Sequence, residues 1–248
     1  MVILKEPQVS EGVSCPYLEG RIFIQEYFFA YELNERDFDE FLSAGWRRFG
    51  LFFFRPACKL CSKCVPIRIL CSDFEATKSQ RRVLKKNCKT EVRLSPPLYR
   101  DEIYELYRKH SKIKFGQDSD LSRFKESFFT AAVPSAQSEY YIDGKLIGVG
   151  FIDISQNSLS SVYYVYDPDY SSYSPGVFSI LKEIEIVKEL GIPYYNLGYW
   201  IKENTRMAYK GKFSPYQTYR WEDKTWHDGD CYQSDNPEDL SEIENIKG

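Results

Sequence analysis

Cys58, Cys61 and Cys64 stand three residues apart in "RPACKLCSKCVPIRI", residues 55–69. A tight loop presents every third side chain to one side, so the three sulfurs can converge. Thiolate is a soft ligand, and tetrahedral zinc or a four-iron cluster takes four such donors. Cys15, in "SCPYLEGR", is the candidate for the fourth, because Cys71 falls in a strand-like run, Cys88 at a helix end and Cys231 in a polar tail. The plain alternative is a set of reduced thiols with no role. The spacing suits zinc and a cluster alike, so both stay open.

Two further stretches carry charge with a purpose. "KSQRRVLKKNCK", residues 78–89, holds Lys78, Arg81, Arg82, Lys85, Lys86 and Lys89 and no carboxylate. Like charges so close repel one another unless an anion neutralises them. Phosphate is the obvious anion, each contact adding a salt-dependent increment to affinity. An ordinary solvated helix face is the alternative. "LGYWIKENTRMAYKGKF", residues 197–213, offers Tyr199, Trp200, Lys202, Arg206, Tyr209 and Lys210. Rings and cations in that mixture can stack bases and hold phosphates, or form a common amphipathic surface. His110 and His227 are isolated, with no spacing that suggests a metal or a triad.

The elements that must position these groups fit a globular chain of 248 residues with 43% hydrophobic and 28% charged residues. Its 17% aromatic content is high. No apolar run reaches the ~20 residues of a membrane helix, and the N-terminus carries no secretion signal. We therefore expect a cytoplasmic protein, where clustered cysteines are more often ligands or catalytic groups than disulfides. The net charge of −3 hides a segregation, because carboxylates crowd the stretch from Glu222 onward.

Along the chain, "RIFIQEYFFAYEL" reads as strand and "NERDFDEFLSAGW" as a helix with Asn34 as cap and Gly45 as stop. "RRFGLFFFR" and "PIRILCSDF" read as strands, and "TKSQRRVLKKN" as a helix opened by Thr77 or Ser79 whose only apolar anchors are Val83 and Leu84. Two helices follow, over "SPPLYRDEIYELYRKHSK" and "SDLSRFKESFF". A β-meander comes next, with Asp143-Gly144 as a hairpin turn. "SPGVFSILKEIEIVKELG" is a helix stopped by Gly191, "IPYYNLGYW" a strand and "YQTYRW" a final strand. The expected fold class is α+β. An N-terminal cysteine-rich region, residues 1–95, would bind nucleic acid. A mainly antiparallel domain over residues 96–230 resembles the GNAT acyltransferase plan, and residues 231–248 form a polar, disordered tail.

"YYVYDP", residues 163–168, resembles the central GNAT strand whose end splays to admit an acyl donor. CoA-dependent members hold pyrophosphate on a glycine-rich loop at the next helix. Here "PDYSSYSPGVF" has the single glycine Gly176, and Pro175 donates no hydrogen bond. A donor other than CoA is expected.

Taken together, "CPYLEGR", "FRPACKLCSKCVPIRI", "SQRRVLKKN", "SSVYYVYDPDY", "EIEIVKELGIPYYNLGYWIK" and "RMAYKGKFSP" resemble the arginyl/leucyl-tRNA–protein transferases, in order, from residue 15 to about residue 221. Within them the chain is most similar to the bacterial aspartate/glutamate leucyltransferase branch. The resemblance implies transfer of leucine, or arginine, from charged tRNA to the N-terminal amine of proteins beginning with Asp or Glu, marking them for degradation as an N-degron. It also implies a zinc ion or iron–sulfur cluster on Cys15, Cys58, Cys61 and Cys64. Eukaryotic relatives have two adjacent cysteines there, so their cluster chemistry does not carry over directly; this chain also lacks their insertions, which favours leucine. On this reading Asp167, with Tyr164 or Tyr166, lies beside the reacting amine. Arg68 or Arg81 grips the acceptor's acidic side chain. Arg82, Lys85 and Lys86 hold acceptor-stem phosphates, joined by Tyr199, Trp200, Lys202, Arg206, Tyr209 and Lys210. The competing classes are a metal-knuckle nucleic-acid-binding module without chemistry and a small-molecule N-acyltransferase.

Overall fold

The computed structural model describes residues 1–130 and 132–230. The expected polar tail and Cys231 lie outside the described residues. The first part of the chain gives β1 (Val2–Val9), β2 (Val13–Ser14), β3 (Ile22–Phe23), β4 (Gln25–Tyr31), α1 (Glu35–Ser43), β5 (Arg47–Phe49) and β6 (Phe52–Pro56). It continues with β7 (Val65–Leu70), α2 (Lys78–Lys86), β8 (Glu91–Ser95), α3 (Asp101–Phe115) and α4 (Leu121–Phe129). The second part gives β9 (Ser135–Ile142), β10 (Lys145–Ile154), β11 (Ser158–Tyr166), α5 (Pro175–Glu189), β12 (Tyr194–Trp200), β13 (Tyr216–Arg220) and β14 (Thr225–Asp228). Short 3-10 turns cover Pro168–Tyr173 and Ala208–Lys212.

Local signals set the helices. Asn34 accepts from the Asp37 N–H to open α1, and Thr77 with Gln80 forms a full capping box on α2. Asp143 and Gly144 both take positive φ in the β9–β10 hairpin, as the two-residue turn requires. Gly191, at φ +68, closes α5. No helix among the described residues is long and apolar enough to cross a membrane.

The fold is α+β, as expected, with a largely antiparallel eight-stranded sheet in the order β14-β13-β7-β12-β11-β10-β9-β8. A four-stranded sheet, β1-β4-β6-β5, and the small β2-β3 hairpin complete it. Residue 95 does not divide the large sheet. β7 lies between β12 and β13, and β8 edges β9. The reason is burial: Ile67 and Ile69 are wholly buried with Ile180, Leu181 and Ile184 of α5. α5 and, through Val83 and Leu84, α2 cover this face. On the other face Ile103 and Leu106 of α3 and Phe124 of α4 pack on Val149, Phe151 and Val165. The four-stranded sheet has its own aromatic core of Phe28, Phe38, Trp46 and Phe53.

One junction breaks the antiparallel rule. β11 and β12 run parallel and pair only over Ser158–Ser160 with Tyr194–Asn196. Beyond that, β11 stays with β10 as far as Tyr166, and β12 stays with β7 as far as Trp200. The two strands therefore part and leave a wedge. A bulge between Asn196 and Gly198, the glycine at φ +80, turns β12 away at the fork.

Candidate active site

The wedge leaves backbone groups of its two strands without a strand partner, and buried polar groups must be satisfied elsewhere. Two cations do this. Arg47 of β5 reaches from the four-stranded sheet and donates through Nη2 to the Ser161 carbonyl, the first beyond the paired segment of β11. Lys210, in the turn Ala208–Lys212, donates through Nζ to the Tyr199 carbonyl of β12 at 2.7 Å. Both side chains are buried, each in a residue only 9% exposed. Burial lowers the proton affinity of both, and Arg47 adds to the effect on Lys210, which falls to about 7.

A carboxylate lies under the α5 side of the wedge. Glu183 is 2% exposed and receives hydrogen bonds from Tyr195, from Ser138 at 2.9 Å and from Tyr140 at 3.4 Å. Burial raises its pKa to about 7 against the pull of these donors. Its charge bears on Tyr164 and Tyr209, and Tyr209 also feels Tyr166. The hydroxyl of Tyr164 is buried and has no hydrogen-bond partner among the described residues. Gly150 permits this packing: a Cβ there would lie 2.4 Å from Ser138 Oγ and 2.7 Å from Glu183 Oε1. Glu183 escaped sequence reasoning. Its signal was a lone acid on the same helical stripe as Ile180, Ile184 and Val187.

At the end of β11, Asp167 is 3% exposed and joined to Lys109 at 2.5 Å and Lys145 at 3.0 Å. It also caps the following turn through Asp169 N. Burial alone would raise its pKa, but the two lysines bring it below the usual range. Asp167 is thus a poor proton acceptor and a firm anchor. His110 is the second residue that spacing did not single out. Buried on α3, it holds the strand end with Nδ1 2.9 Å from the Tyr166 carbonyl oxygen, and burial depresses its pKa. Tyr166 stacks on Tyr164 at 6.1 Å.

The nucleotide-binding candidates separate by exposure. Arg82, Lys85 and Lys86 are exposed on α2, and Arg81 beside them bonds the Ala76 carbonyl. The helix is tied at both ends. Gln80 Nε2 donates to the Lys212 carbonyl at 3.1 Å, in the turn reached from β12. Asn87 Nδ2 donates to the Tyr173 carbonyl at 2.9 Å and Lys86 Nζ to the Ser172 carbonyl at 2.7 Å, in the turn reached from β11. α2 therefore links the turns that follow the two splayed strands. Lys202 and Arg206 are exposed on the loop after β12, the latter 5.3 Å over the Phe115 ring, and Tyr209 is half-buried. Tyr199 and Trp200 are core. Tyr199 donates to the Gly45 and Phe54 carbonyls, and Trp200 to Ala208. As buried groups they offer no stacking face, and Lys210 is equally out of reach of a surface phosphate. Arg68 is committed as well: its guanidinium lies between Tyr194, at 3.7 Å, and Trp226, at 4.2 Å, and bonds Gln217.

The thiols of Cys15, Cys58, Cys61 and Cys64 are free. Burial raises the Cys58 and Cys64 pKa values first, with Cys61 and Cys15 contributing to both. Four sulfurs in mutual electrostatic range suit a soft metal as a donor set. Their positions are not closed on one point: among the described residues no three His, Cys, Asp or Glu side chains form a metal-binding group. Cys58 Sγ instead lies 3.3 Å from the Ile24 N–H. The loop also braces the far wall of the wedge. The Trp221 indole donates to the Cys64 carbonyl, Lys63 pairs with Glu203 at 3.2 Å, and Asn204 donates to the Tyr17 carbonyl.

Comparison with known proteins agrees with this layout. Residues 13–82 match the family model for the N terminus of arginine-tRNA-protein transferase, and residues 102–220 that for its C terminus. An aspartate/glutamate leucyltransferase of Campylobacter jejuni is 37% identical over 210 residues, covering 81% of this chain and 87% of the relative. One from Helicobacter hepaticus is 33% identical over 219 residues, covering 85% and 90%. Among solved structures, FemX gives a TM-score of 0.47 at 7% identity, over 82% of this chain and 81% of that one. The matched segments carry the cysteine loop, the start of α2, the wedge and α5, and the chain belongs to the arginyl/leucyl-tRNA–protein transferase family of enzymes.

Proposed function

We propose that the protein transfers leucine from charged tRNA to the N-terminal amine of cytoplasmic proteins beginning with Asp or Glu, exposing a degradation signal. The observation that carries this is the cationic helix α2 bridging the two turns beyond the splayed strands. A phosphate chain held by Arg82, Lys85 and Lys86 would lead its aminoacylated end toward the wedge. The names of the relatives supply leucine and the acidic acceptors.

The ester of an aminoacyl-tRNA is already activated. The acceptor nitrogen attacks its carbonyl carbon, the C–N bond forms, and the C–O bond to the terminal ribose breaks. The ammonium gives up one proton before the neutral amine attacks, and a second passes from the nitrogen to the ribose oxygen. The activated ester drives the step, so no ATP is consumed. The protein must align the reactants and handle those protons. Asp167 and its two lysines fix the strand end that carries Tyr164 and Tyr166. Glu183, with a proton affinity near neutrality, is the carboxylate suited to receive the proton beneath Tyr164. Cys15, Cys58, Cys61 and Cys64 would hold a zinc ion or an iron–sulfur cluster that ties the β2-β3 hairpin to the loop beside β12. When bound, that group supplies rigidity there.

The deciding assay gives the purified protein labelled Leu-tRNA or Arg-tRNA with peptides beginning with Asp, Glu or Ala. Transfer from Leu-tRNA to the Asp and Glu peptides is expected. Binding of tRNA without transfer would leave a nucleic-acid-binding module, and acetyl-CoA turnover a small-molecule acyltransferase.

A further inference from the structure

From the burial of Arg47 and Lys210 at the fork of the wedge we infer that these two cations form the subsite for the side-chain carboxylate of the acceptor's first residue. The inference rests on the reading of the acceptor given above and assigns its specificity to residues that no sequence motif singled out as a pair.

Each cation spends one donor on a different strand: Arg47 on Ser161 of β11, Lys210 on Tyr199 of β12. A guanidinium has five N–H donors and an ammonium three, so most of their capacity is left. Among the described residues neither forms an ion pair. The carboxylate that Arg47 feels, Asp153, is joined to Arg48 and Ser135. Lys210 feels only Arg47, which repels it, and the Cys64 thiol. Two like charges buried within electrostatic range of each other without a counter-ion are costly, and a substrate carboxylate entering the wedge would offset them. A carboxylate can accept from an ammonium and from a planar guanidinium, the latter in two-pronged fashion.

The alternatives seen from sequence are less suited. Arg68 is enclosed by Tyr194, Trp226 and Gln217, and Arg81 lies on the solvent face of α2. Arg47 cannot lose its charge at any working pH, which keeps the subsite cationic whether or not Lys210 is protonated.

The test compares peptides beginning with Asp or with isosteric Asn, using wild type, Lys210→Met, Arg47→Met and the charge-keeping Lys210→Arg. Loss of one buried, charge-assisted hydrogen bond to a carboxylate is worth on the order of 10- to 100-fold. The ratio of kcat/KM for Asp over Asn peptides should fall by that factor in Lys210→Met and Arg47→Met and be largely kept in Lys210→Arg. Urea melts establish that each variant is folded; should Arg47→Met fail to fold, Lys210→Met decides. An equal loss for both peptides, or a raised KM for charged tRNA with the ratio intact, would overturn the inference and point to the oxyanion or to phosphate. A wild type that prefers Asp while both variants keep that preference defeats this subsite alone. A wild type blind to the difference between Asp and Asn defeats the acceptor assignment itself.

Discussion

Replacing Glu183 by Gln gives a prediction that can be worked through in numbers. In the folded protein this carboxyl is enclosed by Tyr195, Ser138 and Tyr140, and its pKa is raised from 4.5 to about 7. Between those values the native state keeps a proton that the unfolded chain releases. Its stabilising effect is complete below the unfolded pKa and is lost as pH climbs toward 7. Integrated between pH 5 and pH 8, the loss is roughly 2–3 kcal/mol. The surrounding tyrosines Tyr140, Tyr164 and Tyr195 are all pushed well above 10.0 by burial, so they do not titrate in this window. Other groups, His110 and Lys210 among them, titrate in both proteins and cancel in a difference. Urea unfolding at a series of pH values, for wild type and Glu183→Gln, isolates the one carboxyl. The variant should gain on wild type by roughly 2–3 kcal/mol from pH 5 to pH 8, with any cost of the amide as a constant offset. If the two curves run parallel to within about 0.5 kcal/mol, Glu183 does not hold its proton near neutrality, and its role as proton acceptor fails with it.

Other perturbations address different parts of the molecule. Gly150→Ala places a methyl group 2.4 Å from Ser138 Oγ and should cost about 1–3 kcal/mol, read as a lowered urea midpoint at unchanged slope. Changing Arg82, Lys85 and Lys86 together to Ser should flatten the salt dependence of tRNA binding by about one unit of log–log slope for each phosphate no longer neutralised, measured by filter binding; an unchanged slope removes α2 from the tRNA site. Asp167→Asn should make stability less sensitive to acid, because the depressed carboxyl stabilises the fold above its usual range and loses that effect as pH drops through its lowered folded value; acid unfolding followed by circular dichroism checks this. Elemental analysis of the purified protein should find zinc or iron in wild type and none in Cys61→Ser or Cys64→Ser, and a chelator should lower the melting temperature of wild type alone.

Caps and turns were legible in the residues because their hydrogen bonds close within a few positions. Asn34 reaches Asp37, Thr77 reaches Gln80, and Asp143-Gly144 needs only its own dihedral freedom. The cysteine spacing, the cationic face of α2 and the order of motifs were likewise written in the chain, and with them the family. The wedge was anticipated in kind from "YYVYDP", but not its contents. β1, β8 and β14 gave no strand signal, since these edge strands bury none of their residues and so lack a clear apolar alternation. Which cations stayed on the surface and which were buried depended on partners far along the chain: Arg47 meets Ser161 across 114 positions and Gln80 meets Lys212 across 132. Lys210 and Lys202 look alike in the same stretch, yet the fold buries one at the fork and leaves the other in solvent. Burial sets the charge environment, and burial is a property of the assembled core, so the chemistry of Glu183, Arg47 and Lys210 was decided only when β7, β12 and α5 came together.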